Sequence, residues 1–319
     1  MMPIKLMIMM FTTLFLLFGF LFGILAALGY YFGISGFIIV FGAILLVFIQ
    51  WLIGPTIIWW TTNMRPLEKN EYPWIWEIVE SISKKYKIPM PKKIALVRSG
   101  APNAFVFGRT HKSATLAITQ GLLNNLTKEE VKAVIGHEMG HIKHKDMIVM
   151  TIVSAIPIIA YFIARFVIFS PSDRRERGAA VLVGLFAFLI YFITNLLVLA
   201  LSRLREFYAD RFGGIATSPK LLASALAKIT YGLSLNKEEA NQAVRAFFIA
   251  DPITSNFEVA HFSNEYKDLE ISNEEVKKAM EWEKKNIFAR ISEFFRTHPL
   301  SFKRINALLK LEEELRKKI

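Results

Sequence analysis

The sequence predicts a mainly α (α+β) membrane protein, with four transmembrane helices in two hairpins and a polar, largely helical domain that carries a small β-sheet. Three observations predict it. Of 319 residues, 53% are hydrophobic and mean hydropathy is +0.37, too apolar for an ordinary soluble domain but leaving about 200 residues outside a bilayer. Four runs with at most one charge each reach the roughly 20 residues that a hydrocarbon core requires. Strand-like patterning is confined to three short runs in the first half of the polar domain.

Met7–Tyr31 and Gly36–Trp60 contain no charged residue and form the first hairpin, residues 1–60. The first run is far longer than the roughly 7–15 residues of a secretory h-region, so it is an anchor that stays. Residues 61–146 make the first half of the polar domain. Within it, Trp74–Tyr86 has helical apolar spacing and stops before Pro89 and Pro91. Lys93–Val97, Ala104–Phe107 and Ala114–Ile118 read as strands, the last two flanking the turn-rich GRTHKS as a hairpin. Thr127 and Glu130 form a capping box that opens the next helix.

The second hairpin covers residues 147–201. Met147–Phe169 carries only Arg165, and Gly178–Leu201 carries no charge. Two buried helices of a large domain are the alternative for this pair. Residues 202–319 form the second, helical half of the polar domain. Its signals are Ser218-Pro219 as a helix start, a capping box at Ser272–Glu275 and an amphipathic last helix from about Ser301.

Lys5, Arg65, Lys69, Lys143, Lys145, Arg203, Arg205 and Arg211 flank one side of the apolar runs. The other side has an uncharged turn and the loop SPSDRRERG, where Arg174, Arg175 and Arg177 are partly offset by Asp173 and Glu176. The richer side is expected to be cytoplasmic, which puts both termini and the polar domain there. The chain has no cysteine, which excludes disulfides and thiolate ligands and fits a reducing compartment. Its net charge of +12 is spread over all polar segments without a DNA-binding motif, so anionic lipid headgroups rather than nucleic acid are the expected partners.

The chemistry begins at His137-Glu138-Met139-Gly140-His141. On a helix, i and i+4 share a face, so His137 and His141 can present two imidazoles to one cation. Glu138 is placed instead to take a proton from a water at the metal. Gly140 would let another backbone approach closely. A catalytic zinc site needs a third protein ligand and one open position. Ser202–Asp210, reading SRLREFYAD, offers Glu206 as that ligand and Asp210 as the acceptor of a ligand histidine's outer N–H. A solvated acidic face paired with Arg203 and Arg205 is the alternative.

HEMGH, then an apolar hairpin, then SRLREFYAD, then Thr297-His298-Pro299 with Arg304-Ile305, resembles the HtpX-type membrane zinc metalloproteases. These are gluzincins related to the CAAX prenyl proteases. The resemblance spans nearly the whole chain and its four motifs come in the family's order. It implies one Zn²⁺ per chain held by His137, His141 and Glu206, with Glu138 as the base. It also implies that Asn103 and Ala104 line the substrate cleft on an edge strand, and that His298 and Arg304 stabilise the oxyanion. From the residues alone, Asn103 could equally make a turn after Pro102, and His298 could cap the last helix. Leu300 stands where the family often has a second proline.

The implied function is hydrolysis of misfolded or damaged membrane proteins at the cytoplasmic membrane face. A prenyl-protein endoprotease and a non-enzymatic membrane scaffold with structural zinc are the alternatives. His144, at i+3 from His141, is not expected to bind, because a fourth protein ligand would close the site to water. His111 and His261 have no assigned partner.

Overall fold

The computed structural model describes residues 4–32, 34–169, 177–232 and 273–317. The loop 170–176, Ser272 and His261 lie outside the described residues, so the arginine-containing turn and the second capping box are not seen. In chain order the elements begin with α1 (Ile4–Phe32), α2 (Ile34–Thr61), β1 (Met64–Pro66), α3 (Pro73–Tyr86), β2 (Lys93–Val97), β3 (Ala104–Phe107) and β4 (Thr115–Thr119). They continue with α4 (Gln120–Asn125), α5 (Lys128–His144), α6 (Asp146–Phe169), α7 (Arg177–Ala216) and α8 (Pro219–Gly232). The last described helices are α9 (Asn273–Lys285), α10 (Ile287–Ser292) and α11 (Ser301–Arg316). The chain is mostly helical with one small mixed sheet, as expected.

Two compact units are present: Met1–Ile53 with Ile148–Leu204, and Gly54–Met147 with Arg205–Ile319. In the first, Leu17 of α1 is buried with Val153 and Ile156 of α6 and Leu201 of α7. Large apolar side chains among its described residues face outward. Phe15, Phe41, Leu182 and Phe186 are each more than 60% exposed, as suits a solvent of lipid tails. Thr13 and Thr194 are buried there and donate their hydroxyls to the carbonyls of Met9 and Ile190, both at 2.8 Å. Polar groups are thus satisfied within their own helices.

Among the described residues, three helices are long and apolar enough to cross a membrane: α2 over Ile44–Thr61, α6 over Asp146–Arg165 and α7 over Val181–Ala216. Of α1, a 29-residue helix, the shorter stretch Ile4–Leu17 stands out as apolar. The 40 residues of α7 extend about 60 Å at 1.5 Å per residue, twice a hydrocarbon core of about 30 Å. The sequence splits it into a span ending at Leu201 and a separate polar segment; it is one continuous helix.

The second unit is built on a sheet of strand order β1-β2-β4-β3. The expected hairpin is present, with Ala104 opposite Ile118 and Phe107 opposite Thr115. β2 runs parallel to β4, and β1, which the sequence did not reveal, adds antiparallel to β2. Alternation along β2 buries both sheet faces. Ile94 and Leu96 join the main core with Ile75 and Val79 of α3, Ile135 and Met139 of α5, and Leu308 of α11. Ala95 and Val97 face the other way, with Phe105, Phe107 and the end of α2 at Ile58 and Trp59. β3 is left as an edge strand and packs beside α5.

The capping box of α5 is formed as the sequence predicts: Thr127 accepts from the Glu130 N–H, and Glu130 accepts from the Thr127 N–H at 2.9 Å. Glu130 is buried and does more than cap. It also accepts from Ser224 Oγ at 2.7 Å and pairs with Lys228 at 2.8 Å, tying α5 to α8. At the far end, Lys145 adopts φ 59°, ψ 35° and stops the helix, and α6 begins at the next residue, Asp146.

Candidate active site

The site arises where the backbones of α5 and α7 come close together at glycines. A Cβ on Gly213 would lie 2.7 Å from His137 N and 2.9 Å from His137 Cα; one on Gly140 would lie 3.0 Å from Ala209 Cα. Only glycines allow this approach, as the sequence suggested for Gly140. The i, i+4 pair of α5 then faces the i, i+4 pair of α7.

His137 Nε2 and His141 Nε2 are 3.2 Å apart. Glu206 reaches both, its Oε2 3.7 Å from His137 Nε2 and its Oε1 3.5 Å from His141 Nε2. Four-coordinate zinc with bonds of about 2.0–2.1 Å separates its ligand atoms by about 3.3 Å. The three side chains therefore have the spacing of a shared divalent ion. Their outer atoms agree. His137 Nδ1 is 2.9 Å from Asp210 Oδ1, and His141 Nδ1 is 2.6 Å from Asp146 Oδ2. A carboxylate beside each Nδ1 favours the tautomer with its hydrogen there, which would aim the two Nε2 lone pairs at each other. Such lone pairs repel unless a cation lies between them. Burial favours the neutral, ligating form of His137 by lowering its pKa, against the pull of Asp210.

A second carboxylate is close. The ligand-capable atoms of His137, Glu138 and His141 all lie within 4.8 Å of one another. Glu138 differs from Glu206 in its surroundings: it is buried, accepts from the Val106 N–H of β3, and is pushed by burial up to about 8. It stands between the histidines and the edge strand.

Arg304, 1% exposed, holds the carboxylates of α7. Its Nε and Nη2 donate to the two oxygens of Asp210 at 2.8 and 2.7 Å, and its Nη1 lies 3.0 Å from Glu206 Oε2. Burial works against the guanidinium charge, but Asp210 and Glu206 outweigh it and raise its pKa. The resemblance implies a role at the oxyanion for Arg304; in the structure its fork is turned onto Asp210 and Glu206. His298 Nδ1 is 3.2 Å from Glu206 Oε2, and its Nε2 is buried with no hydrogen-bond partner among the described residues. It does not cap α11. Glu283 takes that place, accepting from Ser301 N at 3.1 Å and Phe302 N at 2.9 Å.

Asn103 is buried and pinned by its backbone: its N–H donates to Thr119 Oγ1 at 2.8 Å, and its carbonyl accepts from the Thr119 N–H at 2.9 Å. Ala104 follows it as the first residue of the edge strand, fully buried. His144 stays out of the cluster, its ring edge-on to Tyr208 and Phe212 at 5.8 and 6.3 Å. Burial, with Arg205 nearby, lowers it to about 4.

Two participants escaped the sequence reading. Asp146 lies five residues after His141, off the helical i+3 and i+4 positions, and reaches it only because Lys145 turns the chain. Arg205 pairs with Asp146 and also donates to the His144 carbonyl at 2.7 Å. The sequence had offered it as a partner for the acids of its own helix. An Asp directly after a helix-ending basic run was the one available signal.

Comparison with known proteins gives the family. The family described as Peptidase family M48 matches residues 69–312. A "Protease HtpX homolog" of Methanothermobacter thermautotrophicus is 42% identical over 234 residues, covering 72% of this chain and 88% of that protein. "Protease HtpX homolog 2" of Methanosarcina mazei is 32% identical over 317 residues, 96% of this chain and 95% of that one. The crystal structure of S. mikatae Ste24p matches with a TM-score of 0.51 at 18% identity, over 96% of this chain and 67% of that one, a likeness of fold. A HExxH helix crossed by a carboxylate-bearing helix, read with these matches, identifies the chain as a member of peptidase family M48, of the HtpX type.

Proposed function

We propose that the chain is a membrane-embedded zinc endopeptidase that hydrolyses peptide bonds in misfolded or damaged membrane proteins at the cytoplasmic membrane face. The observation that carries the reading is the convergence of His137 Nε2, His141 Nε2 and the Glu206 carboxylate within 3.2 to 3.7 Å, with each imidazole backed by its own aspartate. His137, His141 and Glu206 would hold the ion. Zinc, when bound, supplies Lewis acidity toward the scissile carbonyl and the attacking water. Glu138, held by the Val106 N–H, takes the proton of that water and passes it to the leaving amine. His298, whose buried Nε2 has no hydrogen-bond partner among the described residues, donates to the oxyanion. Asp210 and Asp146 orient the imidazoles. Arg304 acts through Glu206 and Asp210 rather than on substrate. An extended peptide adds along the open side of β3, with Asn103 and Ala104 at its entry.

The membrane reading takes α1, α2, α6 and the first part of α7 as four spans, with both termini and the second unit cytoplasmic. It is supported by the three apolar helices and by Glu206 following Leu201 within about two turns of the same helix. The likeness to Ste24p supports the fold and says nothing of prenylated substrates.

Purified full-length protein with Glu138→Gln should retain one zinc per chain and lose cleavage of casein. Cleavage at the wild-type rate would remove Glu138 from the reaction, and wild type without stoichiometric metal would favour the scaffold. Cysteines placed at Ser170 and Ser172 should react with an impermeant thiol reagent added outside intact cells. No labelling there would refute the orientation.

A further inference from the structure

Away from the metal cluster, a cavity of about 340 Å³ opens at the end of α2. Trp59 forms one wall; Lys92, Lys93 and Arg109 supply cationic groups; Phe107 and Gly108 close the side formed by the end of β3. Among the described residues, none that lines it is acidic. Of the lining residues only Phe107 belongs to the strand proposed to take the peptide, and none is a proposed metal ligand or proton carrier.

Its position gives the cavity a ligand. Trp59 lies two residues before the end of Ile44–Thr61, the apolar stretch of α2. A tryptophan there sits at headgroup depth if α2 crosses the bilayer, with Trp60, 77% exposed, beside it. The Lys93 ammonium lies 4.8 Å over the Trp59 ring, so this cation is held at the aromatic wall rather than wandering in solvent. Lys92 and Lys93 are exposed, and neither has a carboxylate partner among the described residues. Their backbones are fixed by the sheet: the Lys92 N–H donates to the Ala114 carbonyl at 2.8 Å, and Lys93 pairs with Thr115. Gly108, also in the lining, has φ 155° and is packed so that a Cβ would lie 2.8 Å from the Ser113 carbonyl oxygen. The volume is at the small end of ligand sites, right for a headgroup and too small for acyl chains as well.

We propose that this cavity binds the phosphate of an anionic phospholipid, with Lys92, Lys93 and Arg109 as the cationic groups and Trp59 as the interfacial wall. The acyl chains stay in the bilayer along α2. The proposal rests on the reading of α2 as a span and is independent of the protease chemistry. Each cation near a membrane surface contributes enough attraction that removing two should lower preference for the anionic lipid about tenfold or more.

The test uses the full chain in detergent micelles, observed by native mass spectrometry with added phosphatidylglycerol, phosphatidylcholine or glycerol phosphate. Wild type should retain phosphatidylglycerol in preference to phosphatidylcholine by about tenfold, and the double variant Lys92→Gln/Lys93→Gln should lose that preference. Casein cleavage by the variant should equal wild type, which establishes that it is folded. Equal retention of both lipids by wild type, or an undiminished preference in the variant, overturns the proposal. Displacement of phosphatidylglycerol by equimolar glycerol phosphate would assign the cavity to soluble phosphates and overturn it too. Carbonate extraction reads the membrane assignment separately: release of the chain from membranes sinks the span, whereas a retained chain without lipid preference sinks only the cavity.

Discussion

Gly213→Ala tests whether close helix crossing builds the metal site. The added methyl would sit 2.7 Å from His137 N and 2.9 Å from His137 Cα. Favourable contact begins near 3.5 Å, so the backbones must separate by roughly 0.6–0.8 Å. Both neighbours are backbone, and no rotamer change relieves them. Overpacking of this kind costs about 1–3 kcal/mol. The effect on metal should be larger than that on folding. Glu206 and Asp210 would be carried away from His137 and His141, whereas metal bonds tolerate about 0.2 Å. Zinc affinity should fall by about 10–100-fold, the range seen when supporting contacts to ligands are lost. Chelator competition on the full-length protein measures the affinity, and thermal unfolding of the metal-free form measures the packing cost alone. Wild-type zinc affinity in Gly213→Ala, with unchanged unfolding temperature, would refute the idea that this crossing sets ligand geometry.

Asp146→Asn should also lower zinc affinity by about 10–100-fold, because it leaves the His141 tautomer undirected and Arg205 without its carboxylate; chelator competition reads it. Asp210→Ala leaves Arg304 buried beside Glu206 alone and should destabilise the folded chain by about 3–5 kcal/mol, seen as a shift in denaturant midpoint. His144→Gln should keep one zinc per chain by elemental analysis together with casein cleavage, since the ring packs on Tyr208 and Phe212 outside the cluster.

Strand β1 shows how local pattern fails. It has three residues, ends in Pro66, and follows Asn63 at φ 49°, too short for alternation to register. Its strand character comes from pairing with β2. The opposite case is α5, whose start was legible because a capping box is a contact between residues three apart.

Local spacing alone therefore determined the helical class, the apolar runs, the hairpin of β3 and β4 and the i, i+4 pairs on two helices. These depend on contacts within a turn or a strand, which adjacency in the chain already specifies. The tertiary structure decided which faces meet: the glycine-lined crossing of α5 and α7, Asp146 behind His141, Arg304 clamped on Asp210 and Glu206, and the cationic cavity at the end of α2. Those contacts join residues tens to nearly a hundred positions apart, or depend on one backbone turn. Only packing in three dimensions brings them within bonding distance.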